Sequence, residues 1–167
     1  LSDPKWKGRI AIRSSGNMYN QSLVSSLIAN HGVAATEEWA KGFVANFARK
    51  PEGNDRAQIM AVANGEADIA VANSYYIGLM LSGKKGEKQQ TAAKKVMLHF
   101  PGQNGRGAHI NVSGAGILKN APNAGNAVKF IEFLLSPKAQ EHIVNNTYEY
   151  PMLSNVIRPN ELIAQFG

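Results

Sequence analysis

Short apolar segments alternate with segments of helical periodicity in the first half of the chain. Residues 8–13 alternate between polar and apolar side chains, which predicts a strand. Residues 68–72 form a short apolar run that is typical of a buried parallel strand. Between these two strands, helical periodicity predicts helices over residues 18–30, 37–48 and 55–64. Strands and helices that alternate in this way indicate an α/β fold.

Capping residues mark where the predicted helices begin. Thr36 is followed by two glutamates, so we expect it to cap the second helix, where the acids suit the helix dipole. Asp55 is expected to cap the third helix in the same manner. A further helix over residues 77–81 is predicted after the second strand, and it ends before Gly83.

The second half of the chain has a different character. Residues 96–100 and 108–112 are predicted to form strands on either side of a glycine-rich loop. Helices are predicted over residues 124–135 and 137–145, the second one opened by a serine cap followed by proline. No internal repeat is visible in the chain.

Length and cysteine content narrow the class of protein. The 167 residues suit one domain of ordinary size, which needs no metal or disulfide in order to fold. Because the chain has no cysteine, disulfide scaffolds, cysteine zinc sites, iron–sulfur proteins and cysteine nucleophiles are excluded. No apolar run approaches the length of a membrane span. The first residue is not methionine, so we expect a processed product or a piece of a longer chain.

The net charge of +6 would allow an anionic partner. The lysines are dispersed, however, and those in the polar stretch 83–95 suit a solvated loop and helix face. No zinc-finger spacing or RNA-binding aromatic motif is present, so nucleic acid is not an expected partner.

Three tyrosines follow the two predicted strands. Tyr75 and Tyr76 lie where the second strand passes into a helix, and Tyr19 holds the corresponding position after the first strand. The carboxyl ends of strands form the ligand-binding edge of open α/β sheets, so the three phenols would lie on one rim. The alternative is that they are ordinary amphipathic residues of the core or surface.

Three phenols on one rim would suit a hard, highly charged metal ion. Phenolate is a hard oxygen ligand with an ordinary pKa near 10, so only a strong Lewis acid would deprotonate it at neutral pH. Fe³⁺ is the obvious biological candidate, and three phenolates would neutralise its charge. Hydroxyls and free amides in residues 14–17 would suit a small anion, although plain helix capping explains them equally well. Asn54 and Asn73 could add amide donors.

Catalytic motifs are not evident. The four histidines show no metal-ligand spacing, and the glycine-rich loop at residues 102–107 lacks the ending of a phosphate-binding loop. Residues 113–116 are not a nucleophile elbow. Few acids lie near the proposed rim, so an enzyme is not indicated.

Motifs along almost the entire chain resemble one protein family. The chain is similar to the periplasmic ferric-ion-binding proteins of ABC iron importers, and most like their cyanobacterial branch. The specific signal is the tyrosine pair in Asn73-Ser74-Tyr75-Tyr76 together with the upstream Ser14-Ser15-Gly16. The matching stretches besides the tyrosine pair are residues 3–10, 13–22, 38–42, 46–49, 53–55, 111–116, 127–134 and 149–151.

This resemblance implies a set of functional residues. Tyr75 and Tyr76 would be iron ligands, and Tyr19 would be the additional tyrosine of the cyanobacterial branch. The site where other members hold a synergistic anion would be lined by four residues: Ser15, Gly16, Asn54 and Asn73. The implied activity is the binding of Fe³⁺ in the periplasm for delivery to an ABC permease, without catalysis. The alternative within the same fold is a binding protein for phosphate, sulfate or another anionic solute.

The resemblance also implies an architecture. The fold would be α/β, the C-terminal lobe of a type-II periplasmic binding protein plus hinge and return segments. Residues 1–102 would form the lobe with the tyrosine site, residues 103–151 would return to complete a missing N-terminal lobe, and residues 152–167 would be a tail. Without that lobe, exposed apolar surface would favour dimerisation, strand exchange or disorder, and iron would bind more weakly than in a closed two-lobed protein.

Overall fold

Two compact units make up the computed structural model, which describes residues 1–166. The first unit comprises Leu1–Asn111, and the second begins at Val112. The predicted division at residues 102 and 151 refers to the lobes of a longer protein, and it stays a prediction. None of the helices within residues 1–166 is long and apolar enough to cross a membrane.

A parallel pair of strands organises the first unit. Strand β1 pairs with β2 in a register that places Ile10 beside Ile69 and Ile12 beside Val71. Because the strands are parallel, their carboxyl ends lie at the same edge. The elements are a 3₁₀ turn at Pro4–Trp6, β1 (Ile10–Ile12), α1 (Met18–His31), α2 (Val33–Ala45), α3 (Asp55–Ala63), β2 (Ile69–Val71), α4 (Tyr75–Leu81) and α5 (Glu87–Ala93).

Strand β1 is buried on both faces. Ile10 and Ile12 pack with Phe43 on one face, where Trp39 and Phe47 complete an aromatic cluster. On the other face, Ala11 packs with small side chains of α3 and of the turn after it, Ala61 and Ala67. Small residues let α3 approach the strand closely, so both sides of β1 are fixed by packing.

Helices make up the regular structure of the second unit within the described residues: α6 (Ala124–Leu134), α7 (Pro137–Thr147) and α8 (Glu161–Ala164). Ser136 caps α7 as predicted, because its side chain accepts a hydrogen bond from the Ala139 amide. Phe130 and Phe133 of α6 are both more than half exposed. The helix therefore presents an apolar stripe.

The predicted strands over residues 96–100 and 108–112 are wrong. Both segments are irregular, and neither pairs with β1 or β2. A strand persists only where a neighbouring strand satisfies its amides and carbonyls, and local apolar alternation does not supply that neighbour. Met97 and Ile110 are exposed accordingly.

Two predicted helix caps are also wrong. Helix α2 begins at Val33, directly after Gly32, so Thr36 is a buried residue within the helix. Helix α3 begins at Asp55, but Asn54 is its cap and accepts a hydrogen bond from the Ala57 amide at 3.2 Å. The Asp55 carboxylate is thereby free to make other contacts.

Candidate metal centre

Three phenols meet at the carboxyl edge of the strand pair. Tyr19 lies in the first turn of α1, which follows β1, and Tyr75 and Tyr76 open α4, which follows β2. The hydroxyl oxygens of Tyr19 and Tyr75 are 3.3 Å apart. The rings of Tyr75 and Tyr76 are stacked, with centroids 4.1 Å apart and planes inclined by 28°. The structure thus brings together the three tyrosines that the sequence singled out.

Local capping places each tyrosine. The Asn17 side chain accepts a hydrogen bond from the Tyr19 amide at 3.0 Å, which starts α1 at that point. The Asn73 carbonyl accepts a hydrogen bond from the Tyr76 amide, which starts α4. All three tyrosine side chains are half-buried. Part of each of these residues is therefore exposed to solvent.

The environment of Tyr75 favours the neutral phenol. Burial raises the pKa of the Tyr75 hydroxyl well above its usual value, and hydrogen bonds with Tyr19 and Tyr76 raise it further. A metal bound here would have to displace that proton. Only an ion with strong Lewis acidity and a preference for oxygen does so near neutral pH.

A buried ion pair lies beside the phenols. Arg13 follows β1, and its Nη1 donates to Oδ1 of Asp55 at 3.0 Å. The Asp55 side chain is 1% exposed, and the Arg13 guanidinium also lies 5.8 Å from the centre of the Tyr19 ring. The pair is neutral as a unit, so it leaves the charge balance at the three phenols unchanged.

Asn73 joins the same network. Its backbone amide and its Nδ2 both donate to Oδ2 of Asp55, at 3.0 and 3.1 Å. Its Oδ1 accepts a hydrogen bond from Nδ2 of Asn111 at 2.9 Å. Two residues before Asn111, His109 Nε2 lies 3.0 Å from the Ser22 hydroxyl on α1. The end of the first unit is thus tied to α1 and to the segment that leads into α4.

The residues predicted to line an anion site are more dispersed. Ser15 and Gly16 lie in the exposed turn before α1, where the Gly16 amide donates to the Ser14 hydroxyl at 3.2 Å. The side chains of Asn54 and Asn73 already have partners within the chain. Their role toward an anion stays a prediction.

Sequence reasoning did not identify Arg13 and Asp55 as part of the site. Arg13 ends the alternating segment at the same edge as the tyrosines, so its position was a usable signal. The burial of Asp55 had no signal, because an acid in the first turn of a helix is ordinarily explained by the helix dipole. Within residues 1–166, no cluster of three or more histidines and acids could hold a metal ion. The assignment of the three phenols as metal donors stays a prediction.

Open α/β sheets bind ligands outside the carboxyl ends of their strands, which is where the three phenols lie. Residues 1–165 match the family of bacterial extracellular solute-binding proteins. The chain belongs to this family.

Two curated proteins similar to this chain have names that refer to iron. Iron uptake protein A1 of Synechocystis is 56% identical over 167 residues, which are 100% of this chain and 46% of that protein. The major ferric iron-binding protein of Neisseria meningitidis is 32% identical over 92% of this chain and 44% of that protein. The chain therefore spans about half the length of the curated relatives it matches.

Solved structures of similar proteins superpose closely on this chain. A Trichodesmium protein, IdiA or FutA, in complex with iron and citrate superposes with a TM-score of 0.94 at 52% identity, covering 99% of this chain and 52% of that one. Apo FutA2 from Synechocystis superposes with a TM-score of 0.92 at 46% identity, over 99% of this chain and 53% of that one. The resemblance to ferric-binding proteins and the predicted fold class are confirmed. The family also agrees with the predicted periplasmic location.

Proposed function

We propose that this chain binds ferric iron through the phenolates of Tyr19, Tyr75 and Tyr76, as part of the solute-binding component of an ABC iron importer. The observation that carries the proposal is the convergence of three half-buried phenols at one sheet edge, with two hydroxyls 3.3 Å apart. The similar Trichodesmium protein in complex with iron and citrate supports iron as the bound metal.

Charge balance favours a trivalent ion. Three phenolates neutralise three positive charges, so the bound ion leaves no uncompensated charge in a half-buried site. Divalent ions of lower Lewis acidity would compete poorly with the protons of the phenols. Coordination positions beyond the three phenolates would be filled by water, by a small anion or by the remainder of the protein. Ser15, Gly16, Asn54 and Asn73 are the residues proposed to contact such an anion.

The proposed role is iron transport without catalysis. The protein would collect Fe³⁺ in the periplasm and present it to a membrane permease. Because the chain spans about half of its curated relatives, a longer protein would hold the ion more tightly by closing over the open positions. Exposed side chains such as Phe130 and Phe133 would favour dimerisation of this chain on its own, which light scattering would detect as a doubled mass.

The test is an absorption titration with ferric citrate. A phenolate-to-iron charge-transfer band should appear in the visible spectrum of the chain and disappear in the Tyr19→Phe, Tyr75→Phe, Tyr76→Phe triple variant. Tyr150→Phe in the second unit is the control and should retain the band. A band that survives in the triple variant would contradict the proposal. Binding of phosphate or sulfate with no response to iron would instead favour the anionic-solute alternative.

A further inference from the structure

One buried carboxylate connects the two segments that carry the tyrosines. Asp55 is 1% exposed and accepts three hydrogen bonds. Oδ1 accepts from Arg13 Nη1 at 3.0 Å, and Oδ2 accepts from the amide and the Nδ2 of Asn73 at 3.0 and 3.1 Å. Arg13 follows β1 and Asn73 follows β2, so Asp55 joins the carboxyl ends of both strands.

The contact with Arg13 leads to Tyr19. The guanidinium that pairs with Asp55 also lies over the Tyr19 ring, 5.8 Å from its centre. In addition, Nδ2 of Asn20 donates to the Arg13 carbonyl at 2.8 Å. The first turn of α1 is therefore held against the end of β1 through both the side chain and the backbone of Arg13.

The contact with Asn73 leads to Tyr75 and Tyr76. The Asn73 amide is fixed by Asp55, and the carbonyl of the same residue accepts the hydrogen bond from Tyr76 that opens α4. The position of Asn73 thus sets where the helix starts and in which direction its first two side chains point. Nδ2 of Asn111 restrains Asn73 from the other side, at 2.9 Å from its Oδ1.

The charge of Asp55 makes this connection specific. A buried carboxylate is unfavourable unless it is paired and hydrogen bonded, and here every partner lies on a segment leading to a tyrosine. An ion pair of a different kind serves as a comparison. Arg9 and Asp68 pair near the opposite ends of the same strands, but their side chains are 46% and 54% exposed. Exposed pairs contribute little to structure.

We propose that Asp55 is a positioning residue of the tyrosine site, which sets the distance between Tyr19 and the Tyr75–Tyr76 pair by joining Arg13 to Asn73. As a statement about iron binding, it rests on the function proposed above. As a statement about the distance between the phenols, it can be tested without metal.

The metal-free test measures photochemical dityrosine formation. Light, a ruthenium sensitiser and persulfate couple tyrosines whose rings lie close together, and peptide mass spectrometry quantifies the Tyr19–Tyr75 product. The unaltered chain and the Asp68→Asn control should give equal yields, whereas Asp55→Asn should lose most of the product. Phe43→Leu weakens the core without touching the network and controls for reduced stability. An Asp55→Asn chain that folds and gives the control yield would overturn the proposal.

A milder variant covers the case in which Asp55→Asn does not fold. Arg13→Lys keeps a positive charge beside Asp55 but removes the planar group from the Tyr19 ring. It should fold and should lower the Tyr19–Tyr75 yield below that of Phe43→Leu. An unchanged yield would also overturn the proposal.

The iron test separates this inference from the proposed function. Residues that orient metal ligands typically alter affinity by about 10- to 100-fold, and we expect Asp55→Asn to weaken ferric binding by that factor. Its charge-transfer band should also shift, which a purely structural role would not cause. If the unaltered chain shows no band, the proposed function fails, and the cross-linking result still decides whether Asp55 positions the phenols.

Discussion

Replacing Tyr75 with phenylalanine should separate ligand binding from stability. The ring remains, so its stack on Tyr76 at 4.1 Å is retained. The change removes one hydroxyl, whose oxygen lies 3.3 Å from that of Tyr19. This is longer than the usual O–H···O distance, so that bond is weak, and the same hydroxyl has a further hydrogen-bond partner in Tyr76. Because the net contribution of such hydrogen bonds is modest, the free energy of unfolding should fall by only about 1 kcal/mol.

The effect on ferric affinity should be much larger. Loss of a group that merely orients a metal ligand costs about 10- to 100-fold in affinity. Tyr75→Phe removes one of three proposed ligands, so we expect a loss above about 100-fold, which corresponds to about 2.7 kcal/mol. The loss of binding energy should thus exceed the loss of stability by a wide margin.

Competition with citrate, followed through the visible band, gives the relative affinities, and urea denaturation gives the free energies of unfolding. Tyr150→Phe is the matched control, since it also deletes one tyrosine hydroxyl, but in the second unit. Two results would refute the reasoning. One is an affinity equal to that of the control, and the other is a fall in stability as large as the fall in binding energy.

Three further predictions concern stability. Because the Tyr75 pKa is raised on folding, the folded state retains a proton that the unfolded state releases above about pH 10. The contribution of the neutral Tyr75 phenol to stability is therefore complete below that pH and is lost as the pH rises further. In urea titrations from pH 8 to 11, the free energy of unfolding should fall more steeply for the unaltered chain than for Tyr75→Phe. Phe43→Ala should cost about 3–5 kcal/mol in urea denaturation, since Phe43 is 6% exposed and packs on β1, whereas Phe133→Ala at an exposed position should cost far less. Gly53→Ala should lower the melting temperature, because Gly53 has a φ of +70° and an added Cβ would lie 2.8 Å from the Cβ of Ala57. Gly114→Ala is the control and should leave the melting temperature unchanged, because an added Cβ there would have no atom within 4 Å.

Proximity of the tyrosines was predictable because it follows from topology. Once residues 8–13 and 68–72 are taken as parallel strands, the residues after each strand must lie at one edge. Stacking of Tyr75 on Tyr76 was not predictable, since neither regular strand nor regular helix geometry aims adjacent side chains at one point. That arrangement depends on where α4 starts, and Asn73 and its buried partner Asp55 set that start.

The failed predictions have a common physical cause. Segments 96–100 and 108–112 carry strand-like patterns, but pairing is a property of the neighbour and cannot be read from the segment itself. Thr36 resembles a cap in sequence, yet Gly32 allows α2 to begin a turn earlier, and Thr36 is then enclosed by packing. Local signals located the elements, while their boundaries were decided by tertiary contacts.

Anomalous diffraction at the iron edge would test the central claim most directly. Crystals of this chain grown with ferric citrate should show one strong anomalous peak in contact with the hydroxyl oxygens of Tyr19, Tyr75 and Tyr76. The peak should be absent from crystals of the triple phenylalanine variant grown in the same way. An iron peak located elsewhere on the chain, with the three phenols still hydrogen bonded to one another, would contradict the account.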